Sequence, residues 1–182
     1  MTTDRVASKI SAVSSTLEEL SPRVLVAWVL AVSTLAIIPM WINYDIIAKD
    51  GAHLYVPVAR LLIQGEFHGA IFGPYRPLVI PLYEFSIFLV AKLTGLGLET
   101  SGRLVSAGCF VLGGLGLFKL TEILFRNRLI AVLSLLLYVS NRELLKCSTD
   151  CLKETMLICL VVWGNYFMVQ GLQAGNRVCS YV

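Results

Sequence analysis

The sequence predicts an all-α, polytopic membrane bundle of about four transmembrane helices, with juxtamembrane helices in its first external loop. Three observations predict it. Of 182 residues, 57% are hydrophobic and 15% charged, and the mean hydropathy is +0.76, well outside soluble-domain composition. Two long uncharged runs occupy residues 24–42 and 155–176. Shorter apolar segments lie between them, separated by basic links.

The first 23 residues carry acids as well as bases. The run that follows is longer than a signal-peptide core and lacks a small-x-small cleavage site, so residues 1–23 read as a cytoplasmic segment before a retained anchor. "VLVAWVLAVSTLAIIPMWI" holds 19 residues without a charge, which at 1.5 Å each cover about 28 Å of a roughly 30 Å hydrocarbon core. The stretch beginning "TMLICLVVWGNYFMV" is long enough for a second crossing. Residues 77–91, 104–118 and 129–141 are weaker candidates, and the first of them contains Glu84.

Charge in the short loops arbitrates among these. Lys9 and Arg23 place the N-terminus in the cytoplasm, and Lys119, Arg126 and Arg128 in "KLTEILFRNR" place that link there too. Both conditions hold only if the segment containing Glu84 lies at the interface instead of crossing. The expected spans are therefore about 24–42, 104–120, 129–144 and 155–172, making a membrane domain over 24–176, an external loop over 43–103 and a tail over 177–182. Gly108, Gly113, Gly114 and Gly116 suit a helix pressed against its neighbours.

In the external loop, Leu54, Val58, Leu61 and Leu62 form one apolar stripe, while Asp50, His53, Arg60 and Gln64 fall on the other face. Such a helix lies on the membrane surface. Asp50 can start it and Gly65 can stop it. Pro57 requires a kink, or a start nearer Val56. A second loop helix, over about 78–93, is apolar nearly all round and should sit deeper against the spans.

Asp50 follows the first crossing and Glu154 follows the third, so the two acids face one compartment and can share a site at the membrane surface. A carboxylate there can take a proton from an acceptor hydroxyl or hold a divalent metal ion. Spacing alone favours plainer roles, an N-cap at Asp50 and a first-turn acid at Glu154.

The order of "DGAHLYVPVARLLIQGEF", "PYRPLVIPLYEFSIFLVAKLTGL", "SGRLVSA" and "STDCLKETML" resembles the N-terminal part of the GT-C membrane glycosyltransferases of the protein-mannosyltransferase and aminoarabinose-transferase kind, over about residues 28–171. The resemblance implies transfer of a sugar from a polyprenyl-phosphate carrier, outside the cytoplasmic (inner) membrane, with membrane lipid and that lipid-linked donor as partners. It makes Asp50 the catalytic base or metal ligand, and Glu154 the second acid and metal ligand, with Asp150 one turn earlier as its competitor. Arg76 would meet the carrier phosphate, which its planar fork suits, and Tyr55 would line the site. Some relatives carry Asp-Glu where Asp50-Gly51 stands, with a tyrosine four residues on from the aspartate instead of five.

Members of such families run to several hundred residues and about a dozen spans. The resemblance therefore implies a truncated fragment, whose remaining partner is the missing C-terminal part of the same enzyme. The alternative is a non-catalytic four-span scaffold or partner subunit in which both acids are helix caps. The dispersed cations, without aromatic interleaving, exclude a nucleic-acid partner. Of five cysteines at 109, 147, 151, 159 and 179, three lie in or beside apolar runs and read as small hydrophobes, and Cys147 and Cys151, four apart, lack the CxxC spacing of a metal site.

Overall fold

The computed structural model describes residues 3–43, 51–73 and 82–179. These residues are helical with no strand among them. α1 spans Thr3–Glu19, and α2 spans Pro22–Asn43. A π-helical turn, Gly51–Tyr55, leads into α3, Val56–Ile63. α4 (Phe67–Phe72), α5 (Leu82–Thr94), α6 (Leu98–Phe125), α7 (Arg128–Ser140), α8 (Arg142–Thr149) and α9 (Glu154–Cys179) follow. The segments Pro22–Ile42, Leu98–Phe125 and Glu154–Ala174 are long and apolar enough to cross a membrane, while Gly51–Ile63 and Arg128–Ser140 are shorter apolar helices. The chain is a multi-pass membrane protein with an all-α bundle.

Local chemistry sets most of the ends. Ser21 and Pro22 open α2: the Ser21 hydroxyl accepts from Val24 N–H at 3.4 Å, and proline at a first helical position loses no bond. α6 stops at Arg126, which adopts a left-handed φ of 50°. Asn127 then caps α7 by accepting from the N–H groups of Leu129 at 2.9 Å and Ile130 at 3.2 Å. Asn141 repeats the device for α8, accepting from Glu143 and Leu144. The apolar segment expected over 129–144 is consequently two helices with a break at Asn141. α6 begins six residues earlier than its apolar stretch, because "LETSGR" continues the same helix. α9 runs through Cys179, into the residues expected as a tail.

α6 is the centre, and its neighbours fix the path of the chain. Across from α6, the nitrogen Nε of Arg128 donates to Glu122 at 3.1 Å, and the Tyr138 hydroxyl donates to the Phe110 carbonyl at 3.1 Å with the two rings stacked 4.7 Å apart. The Cys151 thiol donates to the Glu99 carbonyl at 3.3 Å. From Arg128 to Cys151 the chain therefore climbs beside α6 from Glu122 to Glu99, about 35 Å at 1.5 Å per residue. α9 turns back parallel to α6, and its Trp163 indole N–H donates to the Leu112 carbonyl at 3.0 Å. The last turn of α2, the start of α3 and the α5–α6 and α8–α9 connections lie at one end, the loop end.

At the other end, Leu17 and Leu20 pack the end of α1 against the core, and one side chain caps it. The Arg128 Nη1 group donates to the carbonyls of Leu17, Glu18 and Leu20 at 3.1, 2.9 and 2.9 Å. These are the orphan acceptors of a helix C-terminus, where a cation also suits the dipole. Glu122 accepts from both Lys119 and Arg128, so the end of α1 and the α6–α7 connection lie on the same side of the bundle.

The small residues of α6 work as expected, with one difference. A Cβ at Gly113 would stand 2.9 Å from the Tyr138 hydroxyl, at Gly114 2.9 Å from the Ser33 hydroxyl, and at Gly116 3.0 Å from the Trp163 indole nitrogen. Gly108 instead faces open space. Gly113→Val should therefore cost about 1–3 kcal/mol by overpacking and lower the melting temperature in detergent, whereas Gly108→Ala should leave it unchanged.

Candidate functional site

The loop helices dock on the first turns of α6. Pro57 falls in the first turn of α3, which begins at Val56, as its missing N–H requires. Gly65, at φ +81°, stops that helix. The buried face differs from the expected stripe: Tyr55, Val58, Ala59 and Leu62 point inward, and Leu54 is exposed. The π-helical turn explains this, because its extra residue per turn rotates the side chains before Val56 relative to an α-helical register. α5 lies beside α3 and against α6, and Tyr55, Ala59, Tyr83 and Ile87 form one apolar cluster with Val105, Leu152 and Met156 around it.

Tyr83 ties three elements together. Its hydroxyl oxygen lies 2.7 Å from Ser106 Oγ and 3.2 Å from the Gly102 carbonyl oxygen. Ser106 Oγ donates to the Leu152 carbonyl at 3.1 Å; with that single proton committed, Tyr83 donates to Ser106. Burial holds the Tyr83 phenol far above the ordinary tyrosine range, so it acts as a fixed donor. α5, α6 and the α8–α9 connection are thus joined by one chain of hydroxyls.

Tyr55 stands edge-on to Tyr83, with ring centroids 5.3 Å apart. Lys153 Nζ lies 5.8 Å from the centre of the Tyr55 ring. Glu84, next to Tyr83, is 5% exposed; burial pushes its carboxyl up, against a smaller opposing pull from Lys153. The structure therefore brings Tyr55 to the connection that carries Asp150, Lys153 and Glu154.

The two acids of that connection differ. Asp150 ends α8 at 2% exposure, and Glu154 opens α9 at the surface. Cys151 is pushed up to about 11, by burial first and Asp150 second. Asp50 and Arg76, expected as base and phosphate ligand, lie outside the described residues. Among the described residues no group of three His, Cys, Asp or Glu side chains could hold a metal ion, so Glu154 and Asp150 do not make a metal site by themselves.

Sequence reasoning did not single out Tyr83, Ser106 or Lys153. Tyr83 and Lys153 stand inside the quoted "PLYEF" and "LKET", and their position beside Pro81 and Glu154 was the only available signal. Ser106 carried none, because a serine in a small-residue helix reads as packing.

The fold and this covered end define an all-α, multi-pass membrane protein. Residues 75–181 match the dolichyl-phosphate-mannose-protein mannosyltransferase family; this is more than half of the chain, and the chain belongs to that family, within the GT-C glycosyltransferases. Arg76, Asp150 and Glu154 fall inside the match, and Asp50 and Tyr55 precede it. No curated protein and no solved structure gives a significant match.

The tightest contact at the site tests its packing. A Cβ at Gly102 would run into Cys151 Sγ. Gly102→Ala should destabilise the protein by about 1–3 kcal/mol, and adding Cys151→Ala should recover most of the loss, a non-additivity read by thermal unfolding of the single and double variants.

Proposed function

We propose that the chain forms the acid-bearing face of a glycosyltransferase that moves a sugar from a polyprenyl-phosphate carrier to an acceptor at the outer surface of the cytoplasmic membrane. The observation that carries the reading is the docking of the first-loop helices, through Tyr55 and Tyr83, onto the α8–α9 connection in a chain of this family. That docking sets the segment following Asp50 beside the residues Asp150 to Glu154.

Asp50 serves as the base that takes the acceptor's proton, and Arg76 pairs with the carrier phosphate, giving two charge-assisted bonds from one planar group. Asp150 is the buried, positioned acid, and Glu154 the solvent-facing one. A divalent ion would be held by Asp50 with Glu154, and the acid–base work assigned to Asp50 does not depend on it. Tyr55 gives the site an aromatic wall beside the Lys153 cation. Further helices of the enzyme, packed on the exposed apolar face of α9 at Leu160, Val161 and Met168, would complete the donor site.

A four-crossing topology, with three long apolar helices and the shorter Arg128–Ser140 helix, agrees with this placement. The shared position of the end of α1 and the α6–α7 connection satisfies the condition that Lys9, Arg126 and Arg128 all be cytoplasmic. α2, α6, the broken α7–α8 passage and α9 then cross in turn, and the loop end faces outward. Single cysteines at Gln64 and Glu99 should react with an impermeant thiol reagent added to intact cells, and one at Asn127 should not; a protected position 99 would reverse the assignment of the outer face.

Asp50→Asn separates base from cap, since asparagine caps a helix as well as aspartate does. In membranes containing the chain together with the further spans, and supplied with polyprenyl-phosphate mannose, this variant should lose sugar transfer by at least 100-fold, within the usual range for a general base, at unchanged protein level. Arg76→Ala should chiefly raise the donor concentration needed. Transfer at the parental rate by Asp50→Asn would leave Asp50 a cap, and the chain a scaffold.

A further inference from the structure

In α1 the apolar residues Ile10, Val13 and Leu17 recur at i, i+3 and i+7, which is one face of a helix. Ser11, Ser15 and Glu19 fall on the opposite face and are exposed, and Lys9 stands at the edge between the two. The polar face meets its own needs: the hydroxyls of Ser11 and Ser15 donate to the carbonyls of Ser8 and Ala12, each at 2.9 Å. The last turn of α1 is packed. Leu17 and Leu20 rest on the core cluster of α2, α6 and α7, and Arg128 caps the carbonyls of that turn. Ile10 and Val13, on the face that Leu17 turns to the core, are 52% and 51% exposed.

The surroundings of that packed end decide what covers the face. Val24 on α2, Leu124 and Phe125 on α6 and Ile130 on α7 are large apolar side chains exposed at the Arg128 end. They mark the level that hydrocarbon reaches there, because apolar side chains exposed on helices that cross a membrane meet lipid. Only Leu20 and Ser21 separate α1 from α2, and Ile10 lies about 14 Å along α1 from its end at 1.5 Å per residue. The stripe is thus held by one end at the boundary between acyl chains and headgroups, and it faces as Leu17 does, toward the bundle and the lipid beside it. Lys9, at the edge of the stripe, can keep its stem over apolar surface and its ammonium at the phosphate level. A protein partner fits less well, since two exposed branched side chains offer far less than the roughly 800 Å² a side of a stable interface.

We infer that α1 is an in-plane anchor, whose face of Ile10, Val13 and Leu17 lies on the membrane surface at the Arg128 end, the cytoplasmic leaflet in the proposed topology. Its partner is the headgroup–acyl boundary of ordinary phospholipid, bound through apolar area as amphipathic surface helices are. Arg128 then couples this surface helix to the start of α7. The inference rests on the packing of α1 and stands whether or not the chain transfers sugar.

Photo-crosslinking of the full chain in nanodiscs of palmitoyloleoylphosphatidylcholine tests this, with p-benzoylphenylalanine replacing one residue of α1 at a time. Illumination at position 10 or 13 should give phospholipid adducts, read by mass spectrometry of the α1 peptide, at least tenfold above those from position 11 or 15. Trypsin gives a second reading at Lys9. Val13→Glu should speed cleavage there at least tenfold with an unchanged melting temperature, and Ser15→Glu should leave it as in the parent. A second copy of the chain, or another protein, as the main adduct would make the stripe a protein contact and overturn the inference. Equal lipid labelling from all four positions would overturn it as well, because a helix lying in the surface must show two faces. Cleavage at Lys9 no faster in Val13→Glu than in the parent would mean that lipid does not cover the stripe, and would overturn it too.

Discussion

Close approach of helix backbones to α6 is the constraint on which the rest of the structure depends. Apolar side chains gain nothing by leaving lipid for one another, so membrane helices associate through packing and hydrogen bonds that only small residues permit. Gly113, Gly114 and Gly116 turn three sides of α6 toward Tyr138, Ser33 and Trp163. At each contact a polar group of one helix then reaches the neighbourhood of another helix's backbone. The Tyr138 and Trp163 bonds to the α6 carbonyls of Phe110 and Leu112 are of this kind. Larger residues would push α7, α2 and α9 outward and remove those bonds together with the packing.

The loop end is built on the same principle with different chemistry. Gly102 admits the Cys151 sulfur, and one hydroxyl pair, Tyr83 with Ser106, joins α5 to α6 and passes the bond on to Leu152. The acids therefore sit on a connection fixed from two sides. Asp150 is enclosed and Glu154 is exposed, so two carboxylates four residues apart meet different dielectric surroundings. Such a difference lets one connection hold one acid inside the packing and present the other at the surface.

Much of this was legible in the sequence, and the gaps have physical causes. Residues 24–42 and the run from 155 are uncharged, and apolarity over a bilayer's thickness has few other uses, so α2 and α9 were plain. Gly65 and Pro57 act through backbone geometry that any context must respect, and both did. The start of α6 was hidden because a helix does not end where its apolarity ends, and "LETSGR", with the weak helix formers Thr, Ser and Gly, is helical where Tyr83 and Cys151 pack against it. The break at Asn141 was hidden because one capping side chain, with no proline or glycine, is enough to stop α7 and start α8. Leu54 was assigned to the wrong face because a π-helical turn changes the period on which the stripe was counted. For the site, Tyr55, Asp150 and Glu154 were singled out through motif order, while Lys153 and Tyr83 make contacts between segments about 20 to 100 residues apart, which no local pattern records.

The grip of Arg128 on the carbonyls of Leu17, Glu18 and Leu20 has a consequence for how the protein is made. Its partners are separated by 108 to 111 residues, so for most of synthesis α1 has no such anchor. The N-terminal helix leaves the ribosome early and its last turn stays uncapped until α7 has been translated and has come to rest beside α6. Arrival of α7 is thus the step that caps α1, and a nascent chain arrested before Arg128 would carry α1 without this cap.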